Sequence, residues 1–111
     1  MRGRLSTHVL DTARGKPGAG ITVELFLLEG SDWTRLKSVT TNSDGRTDGP
    51  LLEGDQLRAG MYQLVFHIGA YFGGEGMFDQ VPLRFRIGDA AAHYHVPLLC
   101  SPWSYSTYRG S

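Results

Sequence analysis

The chain has 111 residues, 41% hydrophobic and 20% charged, which suits one globular domain spanning 1–111 with one core. Eleven basic residues balance eleven acidic ones, which argues against a nucleic-acid partner and against an acidic tail. The lone cysteine, Cys100, excludes an intrachain disulfide, and no apolar run approaches a membrane span.

The N-terminal residues lack the apolar stretch of a secretory leader, and Arg109-Gly110-Ser111 does not match a peroxisomal Ser-Lys-Leu address. A cytoplasmic location is the expectation. From there a two-residue periodicity runs through the chain. Leu5 to Asp11 reads as a first, less regular strand, and Arg14-Gly15-Lys16-Pro17-Gly18 as a loop. Ile21 to Leu27 carries apolar residues at every odd position, the pattern of a strand half-buried in a sheet. Glu29-Gly30-Ser31-Asp32 is a short hairpin connection into a strand from Trp33 to Thr41. Within that strand Leu36 is out of phase with Trp33 and Val39, which predicts a bulge or a mixed environment.

Asn42-Ser43-Asp44-Gly45 contains the Asp-Gly pair of tight turns, and Gly49-Pro50 is a further break. In Met61 to Ile68, Tyr62, Leu64, Phe66 and Ile68 share one face, with Gln63 and His67 opposite. A single short helix is expected within Gly69 to Met77, weakened by its glycines. Val81 to Ile87 alternates again, and Pro82 places that strand at an edge or marks its start. Strands over His93 to Leu99 and Trp103 to Arg109 complete the chain. Seven or eight short strands with regular turns predict an all-β antiparallel sandwich.

Strand parity sorts the polar residues. His8 points to the side of Ser6 and Leu10, His95 to the side of His93, Pro97 and Leu99, and Tyr108 to the side of Ser106 and Ser104. Parity leaves open whether these surfaces coincide. His93 and His95 have a spacing that can place two imidazoles on one ion, but the motif holds no carboxylate, and no metal site is assigned. Cys100 lies in the run Val96-Pro97-Leu98-Leu99-Cys100 and reads as a small buried hydrophobe. His67, opposite an apolar face, reads as a surface residue.

Three segments together resemble the 5-hydroxyisourate hydrolase family of transthyretin-like proteins. They are Leu5-Ser6-Thr7-His8-Val9-Leu10-Asp11 with Gly15-Lys16-Pro17, then Thr41-Asn42-Ser43-Asp44-Gly45-Arg46, then His93 through Ser111. The last is the most specific, because it ends in Tyr108-Arg109-Gly110-Ser111 after a His-Tyr-His-Val-Pro strand. The resemblance spans the whole chain. It implies an eight-stranded transthyretin-like sandwich with one short helix, and a homotetramer, a dimer of dimers, whose channel holds the active sites. It carries the family's catalytic residues onto His8, Arg46, His95, Tyr108 and Ser111, with substrate binding by Arg46, Tyr108, Arg109 and Gly110. Cys100 and Trp103 depart from residues frequent in the family, at positions not assigned to chemistry.

The activity so implied is hydrolysis of 5-hydroxyisourate to 2-oxo-4-hydroxy-4-carboxy-5-ureidoimidazoline by opening of the N1–C6 bond. No redox or group-transfer step occurs, so no cofactor is called for. A histidine, His8 or His95 with the other assisting, suits the general base because its ordinary pKa is ~6.5. An arginine fork at Arg46 matches the urea-like edge of the substrate and offsets an oxyanion. Tyr108 or Ser111 would orient water or substrate. The competing function is a non-catalytic carrier of transthyretin type, for which imidazoles and a guanidinium are poor contacts to an apolar ligand.

Overall fold

The computed structural model describes residues 2–111. In chain order the strands are β1 (Arg4–Asp11), β2 (Lys16–Pro17), β3 (Thr22–Glu29), β4 (Asp32–Thr40), β5 (Leu52–Glu53), β6 (Gly60–His67), β7 (Gln80–Ile87), β8 (His93–Cys100) and β9 (Tyr105–Thr107). A short 3-10 turn covers Gly54–Gln56, and helix α1 covers Ile68–Tyr71. The seven longer strands fall in the seven segments expected, although β9 covers only the middle of the expected Trp103 to Arg109, and the two-residue pieces β2 and β5 both pair with β1. Helix α1 starts one residue before the expected window and stops early. Gly73, Gly74 and Gly76, all at positive φ, turn the chain out of the helical path.

The strands form two sheets. One runs β2-β1-β8-β9, with β5 also on β1, and the other runs β4-β3-β6-β7. All pairs but one are antiparallel. The exception corrects the purely antiparallel expectation: β1 and β8 run parallel, in unbroken register from Arg4↔His93 to Asp11↔Cys100. These strands lie at opposite ends of the chain, and parallel neighbours need a long crossover that no tight turn provides. The whole second sheet lies in that crossover.

The alternating patterns of β1, β3 and β6 meet face to face. Leu5, Val9, Val23, Leu25, Tyr62, Leu64, Phe66 and Leu98 are buried together in one core. Each large aliphatic side chain taken from water contributes about 1.5–3 kcal/mol, so the core is what fixes strand parity. Pro82 lies on β7, the outer strand of its sheet, where a missing N–H costs no ladder bond. The β3–β4 register steps from Leu25↔Lys37 to Phe26↔Arg35, so Leu36 is the bulged residue that its phase predicted. The Glu29–Asp32 hairpin turns at Gly30 with φ 65°. Cys100 is fully buried and burial pushes its thiol up to about 11, as befits an inert core residue. His67 lies on β6, with Nε2 2.6 Å from Glu24 Oε1 across the β3–β6 ladder.

Candidate active site

The parallel register of β1 and β8 builds the site. In a parallel pair, partners in register point to the same face. Leu5, Thr7 and Val9 are buried inward, so Arg4, Ser6 and His8 from β1 stand on the outer face with His93 and His95 from β8. Ser6 lies directly beside His95, and its Oγ is 2.8 Å from His95 Nδ1. Below them Thr7 Oγ1 donates to the Val96 carbonyl at 2.7 Å and ties the two strands together.

The turn after β4 adds the arginine. Asn42 organises it: its Oδ1 accepts from the amides of Asp44 at 2.9 Å and Arg46 at 3.1 Å, and its carbonyl accepts from the Gly45 amide at 2.9 Å. Such a side-chain-to-backbone turn is what Asx residues do best. Gly45 sits at φ 74° with the Val9 carbonyl where a Cβ would go, so the turn closes against β1 only as glycine. The Val9 amide donates to the Gly45 carbonyl at 2.8 Å. Arg46 thereby forms an isolated antiparallel bridge with His8. His8 Nε2 is 2.9 Å from the Asp44 carbonyl, and a carbonyl only accepts, so that nitrogen carries a hydrogen.

The chain end closes the third side. Gly110 bridges to His95, donating its amide to the His95 carbonyl at 2.7 Å. A Cβ on Gly110 would fall 2.5 Å from His95 Cδ2, so glycine is the residue that lets the tail lie along the imidazole. The result is an open cavity of about 350 Å³ whose lining includes Arg4, Ser6, Arg46, Thr47, His93, His95 and Ser111. Burial holds His95 below the ordinary histidine range, and positive charge on His8 and Arg46 pushes the same way. Its imidazole is therefore a neutral acceptor around neutral pH. Among the described residues no group of three or more His, Cys, Asp and Glu side chains comes close enough to hold a metal ion.

The structure brings Arg46, His95, Gly110 and Ser111 together, with His8 next to Arg46. It places Tyr108 and Arg109 elsewhere. The chain leaves regular pairing after Thr107, so strand parity stops applying before Tyr108. Tyr108 and Arg109 line a second cavity of about 390 Å³, against β7 and Tyr94. Arg109 lies over the Tyr94 ring at 4.6 Å and donates to the His93 carbonyl at 3.1 Å. Ser6, Arg4 and Thr47 carried no assignment from sequence. Ser6 shares parity with His8 and lies in the same family-like segment, but neither signal assigns it a role.

A conserved-domain model described as the HIUase/Transthyretin family matches residues 5–110. The chain belongs to the HIUase/Transthyretin family. Among curated relatives in it, "5-hydroxyisourate hydrolase 2" of Rhizobium meliloti is 55% identical over 116 aligned positions, covering 98% of this chain and 97% of its own length. The solved 5-hydroxyisourate hydrolase of Klebsiella pneumoniae is 40% identical, with a TM-score of 0.83, covering 97% of this chain and 99% of that one. The crystal structure of (S)-allantoin synthase superposes with a TM-score of 0.93 at 42% identity, covering 99% of this chain. This chain spans only 44% of that longer one.

Proposed function

We propose that this protein hydrolyses 5-hydroxyisourate, opening the N1–C6 bond to give 2-oxo-4-hydroxy-4-carboxy-5-ureidoimidazoline in urate breakdown. One observation carries the reading: a neutral-leaning imidazole, His95, shares a polar cavity with the Arg46 guanidinium in a chain 55% identical to a hydrolase of that name.

His95 is the general base. It takes a proton from water as the water oxygen attacks C6 of the substrate. Arg46 holds the carbonyl edge with paired N–H donors and offsets the negative charge that forms on its oxygen. The tetrahedral intermediate then collapses, the C6–N1 bond breaks, and His95 returns its proton to N1. The released C6 is a carboxylic acid, which ionises. His8, with its Nε2 hydrogen donated to the Asp44 carbonyl, stands beside Arg46 and assists proton movement. Ser111 orients water or substrate from the cavity wall, and Gly110 gives the tail its path along His95. Tyr108 and Arg109 serve by anchoring that tail. No step needs an electron or group carrier.

A carrier role is set aside, because Arg4, Arg46, His93 and His95 line the cavity, and guanidinium and imidazole groups suit a small polar heterocycle rather than an apolar hormone. We further propose that the chain assembles as a homotetramer, a dimer of dimers, in the cytoplasm, with the open cavity turned toward a channel between dimers. Light scattering on the purified protein should then return four times the 12.2 kDa chain mass.

The deciding assay generates the short-lived substrate with urate oxidase in the cuvette. Added protein is expected to accelerate the ultraviolet decay of 5-hydroxyisourate well above the buffer rate. Decay no faster than in buffer would end the reading.

A further inference from the structure

We propose that Ser6 is a positioning residue that selects which edge of the His95 ring faces substrate. This rests on the reading of His95 as the base and adds a residue to that machinery.

An imidazole rotates about its last torsion in a broad, nearly two-fold well, so the natural error is a flip that exchanges Nδ1 with Cδ2. Two neighbours oppose that flip here. Ser6 Oγ lies 2.8 Å from Nδ1, and the tail backbone at Gly110 lies against the Cδ2 side. In the flipped ring a C–H would face the hydroxyl and Nδ1 would face a glycine with nothing to exchange. The observed orientation leaves Nε2 as the working nitrogen.

The position of Ser6 is well determined. It sits inside β1, in register with His95 on β8, so both ends of the hydrogen bond are fixed by one ladder rather than by a loop. Its hydroxyl makes no other hydrogen bond among the described residues. A hydroxyl also suits the chemistry better than a carboxylate would. It accepts from Nδ1–H while Nε2 takes up a proton, and being neutral it raises the basicity of the ring far less than a carboxylate would. The contrast with His8 is direct, since that ring is held at Nε2 by a carbonyl that serves only as an acceptor.

The test compares Ser6→Ala and Ser6→Thr in the full-length protein. Ser6→Ala is expected to lower kcat by about 10–100-fold with KM little changed, because the misdirected ring harms the reacting geometry more than binding. Ser6→Thr, which keeps the hydroxyl on a residue strands favour, should restore most of it. In histidine-labelled protein the ¹⁵N shifts of His95 should move in Ser6→Ala and return in Ser6→Thr. The proposal is overturned by normal kcat in Ser6→Ala, or by a fall in kcat with unmoved His95 shifts. If the unaltered protein fails to hydrolyse 5-hydroxyisourate, the functional reading falls, and unmoved ¹⁵N shifts would separately refute the Ser6–His95 contact.

Discussion

Strand β1 contributes to two polar clusters on opposite faces, through Asp11 on one and Ser6 on the other, and they are finished to different degrees. Asp11 points inward and is fully buried. Its Oδ1 accepts from the amides of Ala13 and Arg14, both at 3.0 Å, while its Oδ2 accepts from Tyr71 at 2.7 Å and Arg14 Nη1 at 3.3 Å. Burial pushes its carboxyl up, but the bonds from Tyr71 and Arg14 outweigh that and hold it below the ordinary carboxylate range. On the outer face, His95 has one nitrogen tied to Ser6 and a second with no partner among the described residues. A saturated cluster has no valence left for a ligand and contributes stability. An unsaturated one, kept at the mouth of a cavity, gives up that stability for chemistry.

The two clusters should differ most clearly at His95. Replacing it by Asn should lower kcat by ~10²–10⁴-fold, as for a general base, while thermal stability stays close to normal. His8→Asn should also lose activity. Near-normal turnover in both variants would show that the unfinished cluster is not the catalytic one.

Asp11→Ala should do the reverse. It strands the Tyr71 hydroxyl and two amides, so the unfolding free energy should drop by about 3 kcal/mol, read as a lower denaturant midpoint at unchanged slope. The native protein at assay temperature should keep its kcat. The sign of the pH dependence follows from the depressed carboxyl. Its stabilising contribution is complete above the unfolded value of ~3.9 and is lost as pH falls through the lower folded value. The gap between the two proteins should therefore persist at mildly acidic pH and close only in strong acid. A gap that closes near neutrality would contradict the assignment.

A smaller effect sharpens the same contrast. His95 is held below the usual histidine value, so it stays deprotonated to lower pH than a free imidazole. The acid limb of kcat/KM should then lie below pH ~6.5. A limb displaced above that value would assign the base to another group.

Much of the fold was legible in the sequence because it follows from local periodicity. The alternation in Ile21 to Leu27 placed Val23, Leu25 and Leu27 in the core, where they are. The phase error at Leu36 located a bulge, and Pro82 located an edge. The parallel pairing of β1 with β8 was not legible. It joins Arg4 to His93 across nearly the entire chain, and no turn chemistry records such a contact. The site shows the same division. His8, Arg46, His95 and Ser111 were nameable from family motifs, yet none is distinctive alone.

Which residues face the core, where the turns fall and which family motifs the chain carries all follow from neighbours within a few positions along the chain. The folded molecule is needed to see that Ser6 meets His95, that Gly110 lies along the same ring, and that Tyr108 and Arg109 turn to a different cavity. Those contacts link positions far apart in the chain. Packing of the two sheets sets them, and packing is a property of all the strands at once.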